Sequence, residues 1–268
     1  FALCFAICVF AIDWLLPHHE TRTADLSHGL RVAFVIGSAG IMQMIRDHGR
    51  YDLSNFCLLF LAIYLALNRR LFWAGLVAAV GVLHHEAFAV FALPLVFALV
   101  AHVSAQNGES RFNRAVLLFL TPVLAAIIAV AVFGNSELAA DIDLGEGARV
   151  WKRGLIEYNR GISLLHIGLL VVFWSALVSI VVWFHRANKV SAGWFFLAAM
   201  APLLLNVLGR DHPRWFTLGF LSVIIGLGVQ ARVQNLRFPP LKGFMRWPVL
   251  LLCLPLGPMG AVRIFPWF

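Results

Sequence analysis

The sequence predicts an all-α fold, a polytopic integral membrane helical bundle of about 8–10 transmembrane helices. Hydrophobic residues make up 61% of the chain and charged residues only 13%. Soluble domains carry about twice that share of charged residues. The charged residues also lie between roughly ten apolar stretches, several close to the ~20 residues that cross hydrocarbon as a helix.

The apolar stretches follow one another with short polar connections. Those shorter than about 20 residues are expected to include loop residues or to cross a thinned region of the bilayer. Prolines interrupt or bound the last stretch. The predicted spans are residues 1–16, 29–45, 53–68, 71–83, 87–103, 115–133, 164–184, 193–208, 216–231 and 248–265.

Ten such helices leave little sequence for a soluble domain, so we treat residues 1–268 as one transmembrane domain. The longest polar segment, 134–163, mixes acids and bases. It is either a solvated cap or an outward-facing lid over a site, since long ordered loops often cover sites. The chain begins with Phe1 inside an apolar run, and we therefore expect it to lack its true N-terminus.

The connections predict the orientation of the spans. Lys and Arg concentrate in connections that share one side if the spans alternate, and the positive-inside rule makes that side cytoplasmic. The net charge of +8 therefore indicates a bilayer as partner and no nucleic acid. The basic connections are 68–70, 111–114, 185–189 and 232–246, with ten Lys or Arg and one nearby acid, Glu109.

His84, His85 and Glu86 form the most specific polar cluster on the opposite side. They join two apolar runs without a turn residue, which predicts a tight reversal or a helix break. Ionisable residues between apolar neighbours in a membrane usually face a cavity. Because His, and Glu with a raised pKa, exchange protons near neutral pH, we interpret the triplet as a catalytic general base. The alternative is a polar turn at the headgroup level.

A second cluster on this side contains Arg46, Arg50 and Asp52. The two guanidinium groups suit the oxygens of a pyrophosphate. Asp52 begins the next apolar run and is a candidate N-cap. The alternative is an ordinary charged loop with internal ion pairs.

Arg210, Asp211 and Arg214 form a third cluster on the same side. We expect the arginines to add phosphate or sugar contacts and Asp211 to cap a helix that starts near Pro213.

No metal site and no cofactor are expected. The His pair does not begin an H-E-x-x-H motif, because Ala89 stands where the second His would be. The four cysteines lack a C-x-x-C spacing. Asp13, the one acid deep in an apolar run, is a functional candidate because intramembrane acids are costly.

Residues 50–99 resemble the EpsG-type, Wzy-like polysaccharide (O-antigen) polymerases. The resemblance rests on Arg50-Tyr51-Asp52 opening a helix, a basic turn at Asn68-Arg69-Arg70, and a following helix that ends at His84-His85. Glu86 departs from the pattern, in which a small or hydroxyl residue follows the His.

The resemblance implies a multi-pass protein of the bacterial inner membrane that polymerises or transfers glycan carried on polyprenyl pyrophosphate at the periplasmic face. Arg50, with Arg210 or Arg214, would hold the pyrophosphate, and His84 or His85 with Glu86 would activate the acceptor hydroxyl.

Three alternatives remain open from the residues. One is a glycosyltransferase of the GT-C kind with Asp47 or Asp52 as base. Another is a transporter or flippase of a lipid-linked or small polar substrate, and the last is a non-catalytic membrane subunit. The oligomeric state is left open.

Overall fold

The computed structural model describes residues 2–16, 25–37, 52–85, 87–105, 109–133, 164–190, 193–202 and 212–253, and this part of the chain is all-α. A 3-10 turn, Gly243–Met245, precedes the last helix. The helices are α1 (Ala2–Leu15), α2 (Leu26–Ile36), α3 (Asp52–Leu67), α4 (Leu71–His84), α5 (Ala87–Phe91), α6 (Leu93–Ala105), α7 (Glu109–Phe133), α8 (Leu164–Asn188), α9 (Gly193–Met200), α10 (His212–Gln234) and α11 (Arg246–Cys253).

Each predicted span contains at least part of a described helix, and the fifth is divided into α5 and α6. The division lies at Ala92, two residues before Pro94. Proline has no N–H to donate and its ring crowds the preceding turn, so a helix kinks or breaks there. Next to this division, the carbonyl of Phe91 accepts a hydrogen bond from Ser222 Oγ of α10 at 3.2 Å.

Three helical segments in the described part are long and apolar enough to cross a membrane: Phe88–Ala105, Val171–Asn188 and Phe216–Gln234. Six other apolar helical stretches there have 10–17 residues, one of them within the longer α7. Large apolar side chains are exposed, among them Phe10 at 74% and Leu117 at 64%, as expected of surfaces that face lipid rather than water. The protein is thus an all-α membrane bundle.

The segment Phe216–Gln234 of α10 occupies the centre of this bundle. Within Phe216–Gln234, 89% of the residues are buried, against 39% of Val171–Asn188. Gly226 and Gly228 allow the close packing, because a Cβ at Gly226 would lie 2.9 Å from Ala199 Cβ and one at Gly228 would lie 2.7 Å from Leu15 Cγ. Neighbouring helices therefore pack closely around α10.

Ring and amide contacts give the directions of the helices. Phe173 meets Phe216 at a centroid distance of 5.9 Å, and His185 meets Gln230 at 2.9 Å, so α8 and α10 run in the same direction. Both helices then finish at one end, where the side-chain amide of Asn188 donates to the carbonyl of Arg237 at 3.0 Å. We call this end, where α3, α8 and α10 finish, the basic end.

Further polar contacts join α1, α2 and α10 at the basic end. Arg232 donates to the carbonyl of Trp14 at 2.6 Å and its guanidinium lies 4.1 Å from the centre of the Trp14 ring. Arg31 Nε lies 3.1 Å from Asp13 Oδ1, and Arg31 also donates to the carbonyl of Leu16. Asp13 is therefore the partner of a cation in an inter-helix ion pair.

Three helices finish at the basic end with a left-handed residue that is not glycine: Arg69 (φ 58°), Lys189 (φ 53°) and Asn235 (φ 52°). The next amide in each case bonds back to a carbonyl of the last turn, as Val190 N does to His185 O at 3.1 Å. This is the Schellman cap, which provides hydrogen bonds to the last carbonyls of the helix. Hydrocarbon offers these carbonyls no donor. Cations at such a position also complement the negative end of the helix dipole.

Lys189→Gly is expected to be more stable than Lys189→Ala by about 1 kcal/mol, because only glycine adopts the left-handed conformation without steric cost. Both variants remove the same charge, so their difference isolates the backbone effect. Thermal unfolding of the detergent-solubilised proteins measures it. Equal melting temperatures would contradict the Schellman geometry at this position.

The backbones of α4 and α7 approach each other closely at Gly75. A Cβ on Gly75 would overlap the carbonyl oxygen of Phe119, which belongs to the rigid backbone of α7. Small residues allow this kind of contact, which favours helix association in membranes. A larger residue at position 75 must therefore move one helix away from the other.

Gly75→Ala is expected to destabilise the protein by about 1–3 kcal/mol through this overlap. Gly168→Ala is the matched control, because no described atom lies within 4 Å of a Cβ built there, and helix propensity favours alanine by up to about 1 kcal/mol. Both changes can be followed by thermal unfolding in detergent. A Gly75→Ala protein as stable as the control would rule out the close α4–α7 contact.

Candidate functional site

The described part of the predicted site centres on a contact between α3 and α4. Ser54 Oγ lies 2.7 Å from Nε2 of His84. Ser54 is in the first turn of α3, and His84 is the last residue of α4. The two helices are antiparallel neighbours, so the contact lies at the end of the bundle opposite to the basic end. His84 is exposed there.

His85 forms the break between α4 and α5 that the sequence predicts. Its backbone is extended (φ −161°, ψ 132°) and its N–H donates to Gly81 O at 3.0 Å. Its carbonyl accepts from Phe88 N at 2.9 Å. The Phe88 ring of α5 packs against α4, because a Cβ built on Gly81 would lie 2.7 Å from atoms of that ring. Half-buried His85 and exposed His84 thus have different surroundings.

Most of the other predicted site residues lie outside the described residues. This applies to Glu86, Arg46, Arg50, Arg210 and Asp211, and to the predicted lid, 134–163. Asp52 begins α3 and Arg214 lies in the first turn of α10, but the side chains of both fall outside the described part. Their roles stay predictions.

Sequence reasoning missed Asn55, which follows Ser54 in α3. Its side chain is fully buried, and neither its amide nitrogen nor its oxygen has a hydrogen-bond partner among the described residues. A buried polar group without a partner costs about 1–3 kcal/mol, and such groups mark strained or functional positions. The signal in the sequence was an asparagine within the first turn of an apolar run.

A second buried polar cluster lies at the basic end. His185 Nδ1 contacts the carbonyl of Val181 at 2.7 Å and its Nε2 lies 2.9 Å from Gln230 Oε1. Gln230 in turn donates to Gln234 Oε1 at 3.3 Å. The adjoining cavity holds about 10 Å³, about the space of one water molecule. This cluster joins α8 to α10 and has no room for a substrate.

The described thiols pack among the helices. Cys8 Sγ lies 3.9 Å from Cys57 Sγ and the same distance from the carbonyl of Leu53. Among the residues that the structure describes, no group of three or more His, Cys, Asp or Glu side chains is arranged to hold a metal ion.

Asn55→Leu is expected to raise the free energy of unfolding by about 1–3 kcal/mol, because it removes a buried amide that lacks described partners. The control, Gln230→Leu, also replaces a buried amide by leucine but leaves a ring nitrogen of His185 without its partner. It should lower the free energy of unfolding by a similar amount. Thermal unfolding tests both, and a destabilised Asn55→Leu protein would show that the Asn55 amide is satisfied.

Comparison of the chain with protein-family models, with curated proteins and with solved structures gives no match.

Proposed function

We propose that this protein is a membrane-embedded glycan polymerase or glycosyltransferase of the bacterial inner membrane. Its substrate would be an oligosaccharide carried on polyprenyl pyrophosphate, used at the periplasmic face. The resemblance of residues 50–99 to EpsG-type polymerases motivates the substrate class.

The contact between Ser54 and His84 at 2.7 Å supports this proposal most directly. It joins the end of α4, which carries the His pair, to the first turn of α3. The chain enters that turn from the segment that contains Arg46, Arg50 and Asp52. The candidate phosphate-binding residues therefore lie, in the sequence, at the start of the helix whose first turn contacts the candidate base.

The reaction assigns a role to each type of residue. An imidazole of His84 or His85 takes the proton of the acceptor hydroxyl as that oxygen bonds to the anomeric carbon of the donor sugar. The bond between this carbon and the pyrophosphate oxygen breaks, and polyprenyl pyrophosphate leaves. Arg50, with Arg210 or Arg214, stabilises the negative charge that develops on the leaving group.

Ser54 acts in this scheme by holding the ring of His84. Its hydroxyl contacts Nε2, and this contact restrains the orientation of the imidazole. A fixed ring is an advantage because misplacing a catalytic group by about 1 Å costs as much as 10²-fold in rate.

The transporter alternative requires polar groups on paired broken helices near the middle of the membrane. The break at Ala92 meets this description only in part, because Ser222 of α10 satisfies the Phe91 carbonyl inside the protein. The Ser54–His84 contact joins helix ends, which favours binding or chemistry at the membrane face.

The polymerase proposal predicts that His84→Ala or His85→Ala lowers the rate of glycan extension by about 10²–10⁴-fold, the usual contribution of a general base. Arg50→Lys should also impair extension, because lysine lacks the guanidinium fork. The measurement is the length of polysaccharide made from polyprenyl-pyrophosphate oligosaccharide by the purified protein in liposomes. His28→Ala is the control, since His28 is exposed on α2 near the basic end.

Ser54→Ala should lower the rate about tenfold, the equivalent of one hydrogen bond, and Ser54→Thr should restore it. Wild-type glycan length in the Arg50, His84 and His85 variants, at normal protein levels, would refute the enzymatic function.

A further inference from the structure

A groove of about 430 Å³ lies between α2 and α11 at the basic end. This volume falls within the range of about 300–1,000 Å³ that is usual for ligand pockets. Its apolar wall consists of Val32 of α2 with Val249 and Leu250 of α11. Its charged lining residues are Lys242 and Arg246. The groove is separate from the Ser54–His84 site at the opposite end.

Glycine makes this groove possible. A Cβ on Gly29 would lie 2.6 Å from Cγ1 of Val249, so α2 and α11 touch at this position. Backbone pairing fixes the preceding segment against α2, because Leu26 N donates to Pro239 O at 2.9 Å. These contacts therefore fix the positions of the apolar wall and the two cations relative to each other.

The cations of the groove are available to an anion. Lys242 and Arg246 are exposed, and the bond from Arg246 Nε to Leu241 O at 3.2 Å uses one of the five guanidinium donors. The described acid next to this segment is Asp25, which bridges to Pro240. Its carboxylate accepts from Ser27 Oγ at 2.7 Å and from His28 N at 2.9 Å, so it is engaged in capping α2.

Two exposed aromatic residues that flank Arg246 in the sequence indicate that this part of the groove lies near a membrane interface. Phe244 is 77% exposed and Trp247 is 66% exposed, on either side of Arg246. Exposed Trp beside basic residues is typical of the headgroup level of a bilayer. The groove thus combines an apolar wall with two cations at the depth where acyl chains meet phosphates.

We propose that this groove binds an anionic glycerophospholipid, with an acyl chain along Val32 and Leu250 and the phosphate at Lys242 and Arg246. The apolar wall favours a lipid over a free phosphate, which has no apolar part to bury. Basic pockets between membrane helices recognise anionic headgroups, with about 1 kcal/mol for each Lys or Arg near the surface. This site goes beyond the proposed glycan chemistry and does not depend on it.

The test is the thermal stabilisation of the purified full chain in detergent by added phosphatidylglycerol. A ligand that binds only the folded state raises the melting temperature, and the rise grows with the logarithm of its concentration relative to Kd. Phosphatidylglycerol should raise it by several degrees more than phosphatidylcholine with the same acyl chains, and inorganic phosphate should have no effect. Equal effects of the two lipids, or a full effect of phosphate alone, would overturn the proposal.

Variants test whether the stabilisation by phosphatidylglycerol comes from binding in the groove. Lys242→Gln/Arg246→Gln should weaken the apparent affinity for phosphatidylglycerol at least about tenfold. Arg186→Gln/Arg237→Gln removes the same charge from exposed positions of the basic end outside the groove and should leave the affinity unchanged. Loss of affinity in both double variants, or in neither, would contradict a built site.

A second measurement does not depend on stability. Phosphatidylglycerol with a diazirine on its acyl chain should label residues 246–253 of the full chain in liposomes, as mapped by mass spectrometry. Val32→Phe narrows the groove without changing its charge and should reduce this labelling while sparing other lipid-exposed helices. Unchanged labelling of residues 246–253 in Val32→Phe would place the lipid elsewhere.

Discussion

The fold depends on the need to satisfy every backbone polar group within a medium that offers no hydrogen bonds. Helices meet this need along their length, but their last carbonyls require other partners. At the basic end Arg69, Lys189 and Asn235 supply left-handed caps, although none of the three is glycine. The same constraint explains the Phe91 carbonyl, which accepts from Ser222 where α5 and α6 separate.

The two ends of the bundle differ in how their polar groups are used. At the basic end, contacts such as Arg232 with Trp14 and Asn188 with Arg237 join helices to each other. These bonds satisfy carbonyls of neighbouring segments and hold the helices in register. At the opposite end, Ser54 and His84 meet at an exposed position, next to the buried amide of Asn55. Among the described residues, the polar contacts at the basic end thus join several helices, while the Ser54–His84 contact joins only α3 and α4.

Much of the fold could be predicted from the sequence, because the length of each apolar run and the charges around it reflect the bilayer. The spans and the break at His84–His85 follow from this pattern. The division at Ala92 was missed, since Pro94 alone does not say whether a helix kinks or divides. Asp13 is a functional candidate from the sequence, which does not show its ion pair with Arg31 because Arg31 lies on another helix. Such a pairing depends on packing, which hydropathy does not encode.

The candidate site was harder to predict for the same reason. His84 was named from its neighbours in the sequence, whereas Ser54 lies thirty residues earlier and is an unremarkable serine until α3 and α4 pack. Asn55 and His185 are both buried polar residues, and the sequence does not distinguish them. The structure does, because His185 has partners on both ring nitrogens while the Asn55 amide has none among the described residues. Its partners make His185 a structural link between α8 and α10, whereas the Asn55 amide is a buried polar group directly next to Ser54 that no described partner explains.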